Sequence, residues 1–256
     1  MGSLLITGGS GSIGKAIAEV FYENGYSIVF LGRNIERLEK IRDGLLKGDK
    51  GWIDIVRYDA KEKREKEIVD EVFRRHKDIN ILVNGAGIGY YESLSDLDDE
   101  ITEYIFQVNF FAPIRLTKAF LSQGGSHLNI INILSISARL PVPFSGIYAA
   151  SKAALYMEME SARGELPPSV KILNVLPGRI ESEFSKNAPG TKYFSHGGKR
   201  ASAEDLAHVI YKAFLRGKRE VIWPVKYRYI LYFQRMFPKI YEEKMKKLKK
   251  EYEEKR

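Results

Sequence analysis

The sequence contains no cysteine, which excludes disulfide staples, thiolate nucleophiles and zinc–thiolate centres together. Histidine is nearly as scarce. His76, His127, His196 and His208 are scattered without metal-ligand spacing, so no metal site and no metal catalysis is expected. No apolar run approaches the ~18 residues a membrane-spanning helix needs, and because the first strand pattern begins at Ser3 no signal peptide is expected. The opening Met-Gly-Ser-Leu-Leu-Ile also lacks the Ser or Thr at position 6 of a myristoylation site. A cytoplasmic chain is the expectation. Acidic residues are short at one end only: Lys212 to Arg256 hold 15 Lys/Arg against 6 Asp/Glu, a net +9, while the first 211 residues carry −1. A neutral body with a basic tail argues against nucleic-acid binding and directs any anionic partner to the C-terminal end.

What is present is an unbroken alternation of short apolar runs and longer amphipathic stretches. The runs are Leu4–Thr7, Ser27–Leu31, Ile53–Arg57, Ile79–Val83, Leu128–Leu134, Val170–Val175 and Glu220–Trp223. Helical periodicity falls between them, over Ser12–Asn24, Ile35–Leu46, Lys61–His76, Asp98–Leu121, Ile147–Glu165 and Ala203–Leu215. This is the βαβ signature of a parallel sheet. With 256 residues and no linker, it predicts one α/β domain over residues 1–224, doubly wound, followed by a helical tail over 225–256.

Between the first run and the first helix stands Gly8-Gly9-Ser10-Gly11-Ser12-Ile13-Gly14. A glycine-rich turn in that place lets backbone approach a pyrophosphate, and the helix start offers unpaired N–H groups and the positive end of a dipole. Dinucleotide binding follows. The second run ends Phe30-Leu31-Gly32-Arg33-Asn34, where an NAD site would carry an acidic residue for the ribose 2′-hydroxyl. Gly32 occupies that place and Arg33 follows it; a guanidinium suits a 2′-phosphate, so NADP(H) is expected in preference to NAD(H).

Ser135 and the stretch up to Lys152 read SISARLPVPFSGIYAASK. Tyr148 and Lys152 are four apart, so on a helix both lie on one face, a turn apart. A phenol whose unperturbed pKa is near ~10 donates and accepts protons poorly at neutral pH, and an ammonium beside it favours the phenolate. The pair is therefore expected to pull the phenol down toward the working range. Ser135 follows an apolar run, thirteen residues upstream of Tyr148, and the intervening loop is expected to fold it back onto Tyr148.

With these stretches assembled, the chain resembles the short-chain dehydrogenase/reductase family, over about Ser3 to Trp223. The residues that carry the resemblance are TGGSGSIG at 7–14, NGAG at 84–87, Asn109, Ser135, YAASK at 148–152 and PGRIES at 177–182. It implies a Rossmann fold with a seven-stranded parallel sheet, a nicotinamide cofactor, hydride exchange between an alcohol and a carbonyl, and a homodimer or homotetramer joined through the Asp98–Leu121 and Ile147–Glu165 helices.

By the same resemblance Tyr148 is the acid/base, Lys152 its partner, Ser135 the hydrogen-bonding group for the substrate oxygen, ranked above Ser137, and Asn109 the holder of a water in the proton relay. The implied cofactor set is Gly8, Ser10, Gly11, Ser12, Ile13 and Gly14 in the first turn, Arg33 and Asn34 after the second strand, and Asp59 and Ala60 after the third. It continues with Asn84, Ala86 and Gly87 after the fourth, Tyr148 and Lys152 themselves, and Pro177, Gly178, Ile180 and Ser182 beyond the sixth. Two positions depart from the family pattern. Ser12 replaces the middle glycine, with Gly11 restoring the spacing of longer relatives, and Gly85 replaces the second Asn of NNAG.

Tyr90, Tyr91, Leu140, Val142 and Phe144, with the Gly-rich segment Glu183–Arg200 as a mobile lid, are expected to line an apolar substrate pocket suited to a hydrophobic carbonyl. A non-catalytic dinucleotide sensor of the same fold is the alternative to an enzyme. The tail shows a crowded aromatic segment before Pro238 and, after it, Tyr241, Met245, Leu248 and Tyr252 at helical spacing. It fits peripheral contact with an anionic membrane, and equally a flap over the substrate mouth or a partner subunit.

Overall fold

Leu4, Leu5 and Ile6 alternate in direction along one strand, yet none has any accessible surface. A strand buried on both faces needs helices on both sides of its sheet, which is the condition for an all-parallel arrangement. The computed structural model, which describes residues 2–46, 50–125, 127–182, 184 and 200–254, has that architecture. Seven parallel strands, β1 (Ser3–Thr7), β2 (Ser27–Gly32), β3 (Ile53–Arg57), β4 (Ile79–Asn84), β5 (Asn129–Ile133), β6 (Lys171–Pro177) and β7 (Glu220–Trp223), lie in the order β3-β2-β1-β4-β5-β6-β7. The winding reverses between β1 and β4, so a crevice opens beyond their carboxyl ends.

One face of the sheet is covered by α1 (Ser12–Glu23), α2 (Ile35–Leu45) and α7 (Ala203–Leu215), whose core includes Phe21, Leu38 and Ile210. The other is covered by α3 (Glu65–Arg75), α4 (Asp99–Phe106), α5 (Ala112–Ser122) and α6 (Gly146–Glu165), around Val72, Phe120 and Leu155. The tail forms α8 (Lys226–Met236) and α9 (Pro238–Glu254). Pro238 starts the second helix, where its missing N–H costs nothing.

One expected element is divided. The helix read as Asp98–Leu121 is α4 and α5 joined by a π-helical stretch, Gln107–Phe111. Pro113 has no N–H to donate to the carbonyl of Asn109 four residues back, so the regular ladder breaks at Asn109. The helix expected from Lys61 starts instead at Glu65, because Lys63 adopts a left-handed φ of 55°.

A buried polar chain crosses the sheet. Asn84, Asn132 and Asn174 are in register on β4, β5 and β6. Asn84 donates to Asn132 at 2.9 Å, Asn132 to Asn174 at 2.9 Å, and Asn174 to the Glu160 carboxylate on α6 at 2.7 Å. In a dry interior each amide nitrogen finds the next acceptor, which limits the cost of burying polar groups to the Asn84 Oδ1 at the head of the row, an atom that has no partner among the described residues.

Candidate active site

The crevice is built from glycine backbone. Gly8, at φ 73°, starts a turn in which Gly11 N–H donates to its carbonyl at 3.0 Å. A Cβ on Gly8 would stand 2.6 Å from the backbone of Gly85, and one on Gly14 would stand 2.2 Å from the Gly8 oxygen. No side chain fits at either position without moving main chain. Gly11 is the N-cap of α1 and makes no side-chain cap, so the helix start depends on backbone alone and its first N–H groups face the crevice beside Ser10, Ser12 and Ile13.

The Gly85 departure has a physical reason. A Cβ there would approach the Thr7 carbonyl to 2.6 Å. The hydroxyl of Thr7 accepts from Gly85 N–H and Ala86 N–H, each at 3.1 Å, and ties β1 to the loop after β4. Asn84 itself is committed to Asn132 and Thr117, so its side chain does not reach the crevice.

Arg33 is exposed at the carboxyl end of β2 and donates to the Tyr104 hydroxyl at 3.2 Å. Asn34 caps α2 by accepting from Arg37 N–H, and Asp59 accepts from Lys61 N–H at 3.0 Å. Ala60 is buried, with its carbonyl receiving Gln107 at 2.6 Å. On the far side Pro177 ends β6, and Gly178 lies against the Tyr227 ring so closely that a Cβ would overlap it. Ile180 is buried and bridges to Ala201, with Ser182 half-buried beyond it.

Tyr148 and Lys152 share the inward face of α6 and both are buried. Ser135, released from β5 into a short 3-10 turn, lies beside the Tyr148 phenol, where its hydroxyl favours the phenolate. Ser137 donates to the Ser135 hydroxyl at 2.8 Å, so it acts through Ser135 and not in its place. Burial pushes the Tyr148 phenol up to about 12, against which the Ser135 hydroxyl works. Burial likewise pushes the Lys152 ammonium down to about 8.

This corrects the expectation that the lysine pulls the phenol down: desolvation raises it, and the group that works against burial is Ser135, not Lys152. The Lys152 ammonium is turned to the Ile133 carbonyl at 3.0 Å. Gly87 leaves room for this cluster, since a Cβ there would be 3.0 Å from Lys152 Nζ and 3.2 Å from Asn109 Oδ1.

Asn109 is wholly buried and its amide is fully used. Its oxygen accepts from Ile88 N–H at 2.9 Å; its nitrogen donates to the Ile88 carbonyl at 2.9 Å and to Ser151 at 3.0 Å. Ser151, absent from the sequence-based set, links Asn109 to α6 by donating to the Tyr148 carbonyl at 2.8 Å. Its place inside YAASK was the available signal.

The expected substrate residues divide. Tyr91 and Phe184 face the Tyr148 ring, at centroid distances of 6.1 and 5.7 Å. The tail packs on the loop that carries Phe144: Phe144 meets Tyr252 of α9 at 6.0 Å, and Tyr241 donates its hydroxyl to the Pro141 carbonyl at 2.8 Å. Val142 is half-buried between them in sequence. Tyr90 and Leu140 are instead built into the body; the Tyr90 hydroxyl accepts from Asp98 N–H at 3.0 Å. The lid expected over Glu183–Arg200 lies, apart from Phe184 and Arg200, outside the described residues.

The arrangement can hold a carbonyl oxygen between a serine hydroxyl and a phenol, beside the Tyr91 and Phe184 rings and next to a backbone cradle of the kind that accepts a dinucleotide. Residues 3–192 match the family model described as short chain dehydrogenase. The chain is 28% identical over 236 residues to Dehydrogenase/reductase SDR family member 7B of Mus musculus, covering 86% of this chain and 72% of that one. A short-chain dehydrogenase of Sphingobium yanoikuyae, solved in complex with NADPH, superposes with a TM-score of 0.78 at 25% identity over 88% of this chain and 89% of that one. A relative from Burkholderia phymatum in complex with NAD shares the fold with a TM-score of 0.83 at 19% identity, covering 93% of this chain and 94% of that one.

Proposed function

The chain belongs to the short-chain dehydrogenase family and is an oxidoreductase of CH–OH and C=O groups, and on that premise we propose that it exchanges hydride between NADP(H) and a hydrophobic ketone or aldehyde, with reduction as the cellular direction. The observation that carries this reading is the approach of Ser135 to the buried Tyr148 phenol beside the Tyr91 and Phe184 rings, with Lys152 buried on the same helix face. Burying a phenol and an ammonium together costs stability, which proton transfer explains and a cofactor-holding scaffold does not.

The cradle of residues 8–14, where backbone excludes a Cβ at Gly8 and Gly14, fits a pyrophosphate, and by the family resemblance Ile180 and Ser182 would flank the nicotinamide. Bound there, the cofactor supplies the hydride. Ser135 then orients the substrate oxygen, and Tyr148 donates the phenolic proton to that oxygen as charge develops on it. Lys152 is the ammonium that reloads the phenol. Asn109, its amide already spent on Ile88 and Ser151, serves the relay through its main-chain carbonyl, which Pro113 leaves without a helical donor.

Arg33 supports the NADP(H) preference. It is exposed at the end of β2, no carboxylate stands at Gly32, and a Cβ on Gly32 would crowd the buried Leu38 at 2.9 Å. A homodimer or homotetramer belongs to the same reading: Phe111 and Met157, on the two helices expected at the interface, are 48% and 64% exposed. Initial rates on a panel of aromatic and aliphatic ketones and aldehydes, with NADPH and NADH in parallel, test the assignment. Faster turnover with NADH, or none with any carbonyl, would sink it.

A further inference from the structure

Helix α8 is apolar on two opposite faces. Its inner arc, Tyr227, Ile230 and Leu231, packs on the body. A surface helix needs one such stripe. The opposite arc carries Tyr229, Tyr232, Phe233 and Met236 within about 100° of the helix circumference, and Phe237 with Ile240 continues it across the turn into α9. All six are exposed, Met236 at 70% and Tyr229 at 69%. Six exposed, largely apolar side chains following one another along one arc are the kind of surface that marks an interaction site.

The charges around the patch have one sign. From Val221 to Tyr241 there is no Asp or Glu, while Lys226, Arg228, Arg235 and Lys239 are present and exposed. Helical spacing places Lys226 on one border of the apolar arc and Arg228 with Arg235 on the other. Among the described residues none of these four pairs with a carboxylate. The outer face of α9, by contrast, is a solvated weave of Lys and Glu, with Lys246 bridging Glu242 and Glu243.

We propose that the outer face of α8 docks on an anionic lipid bilayer. The helix lies in the plane of the interface, its tyrosines, phenylalanines and methionine entering the headgroup level and its flanking cations meeting lipid phosphates. Charge decides the occupant. A second copy of this chain on a two-fold axis would set the same four cations against themselves, since such an interface pairs each patch with its own duplicate. Among the described residues no helix is long and apolar enough to cross a membrane, so the contact is peripheral.

The inference does not depend on hydride transfer, and it is read by binding. The full chain is sedimented with vesicles of phosphatidylcholine alone and of phosphatidylcholine with phosphatidylserine. It is expected to pellet with the second and to stay in solution with the first. The Arg228→Gln/Arg235→Gln variant should partition ~30-fold less strongly, about fivefold for each charge removed. A Tyr232→Ser/Met236→Ser variant should also release the chain, and both variants should keep the urea-unfolding midpoint of the unaltered chain in vesicle-free buffer, which shows that they fold. Complete recovery in the supernatant with phosphatidylserine present would overturn the proposal. So would pelleting that ignores both pairs of substitutions, or a Tyr232→Ser/Met236→Ser variant that runs as a smaller species while the unaltered chain binds no vesicles.

Discussion

Lys152 Nζ donates to the carbonyl oxygen of Ile133 at 3.0 Å, across nineteen residues of chain from the end of β5 to the second turn of α6. The ammonium is thus held by the sheet at the depth of the phenol, and burial, with no carboxylate to offset it, sets its acidity.

That placement makes reduction sensitive to pH. With Lys152 pushed down to about 8, kcat/KM for carbonyl reduction should be level below pH 8 and decline above it as the ammonium loses the proton it relays. The phenol, up at about 12, contributes no fall in that range. A profile that stays level through pH 10 would remove Lys152 from the relay.

Stability should move the opposite way. A lysine whose folded-state pKa is lowered binds fewer protons folded than unfolded between about pH 8 and the ordinary lysine value, so its burial penalty is complete below pH 8 and is relieved as pH rises. Urea unfolding of the unaltered chain between pH 7 and pH 9.5 should show a gain on the order of 1–2 kcal/mol. Lys152→Met should flatten that slope.

Tyr148→Phe keeps the ring against Tyr91 and Phe184 and removes only the hydroxyl. Turnover should drop at least ~10²-fold, the lower end of what a positioned acid contributes, with NADPH affinity kept. Single-turnover rates and a cofactor titration separate the two effects; near-normal turnover would refute the role.

Arg33→Leu removes the guanidinium without adding a Cβ against Leu38. KM for NADPH should rise ~10-fold or more, as loss of a charge-assisted pair implies, while KM for NADH stays within a factor of two or so. Equal changes for both cofactors would mean that Arg33 serves Tyr104 and the fold, not a phosphate.

Asn174→Leu cuts the amide chain in the middle of the sheet. Asn132 loses its acceptor and Glu160 a donor, at a cost of about 1–3 kcal/mol. Denaturant midpoints measure it. A neutral result would mean that a water replaces the amide.

The frame of the molecule was legible because it rests on local pattern. Seven strands fall within a residue or two of their apolar runs, and the first glycines and Tyr148–Lys152 were identifiable from spacing alone. Missed features depend on contacts between distant segments or on balances of opposing effects. The direction of the Tyr148 shift needed the depth of its burial. The π stretch at Asn109 could have been read from Pro113 but was hidden under a strong amphipathic period. In the tail, the stripe Tyr241, Met245, Leu248 and Tyr252 was plain, whereas its partner, the loop around Pro141 and Phe144, is set by the fold. Asn132 and Asn174 sit inside mostly apolar runs and Asn84 just past one, and only their shared register reveals why polar groups are tolerated there.

Every amide in that row points its nitrogen the same way, from Asn84 through Asn132 and Asn174 to Glu160. The carboxylate only accepts, so it dictates the sense of the amide beside it, and each amide dictates the next. Arg163 in turn fixes that carboxylate at 2.9–3.0 Å. A single acid on α6, the helix that also carries Tyr148 and Lys152, therefore keeps three interior side chains in one orientation, and neutralising it would let them lose that orientation as a group, with no residue of the core itself altered.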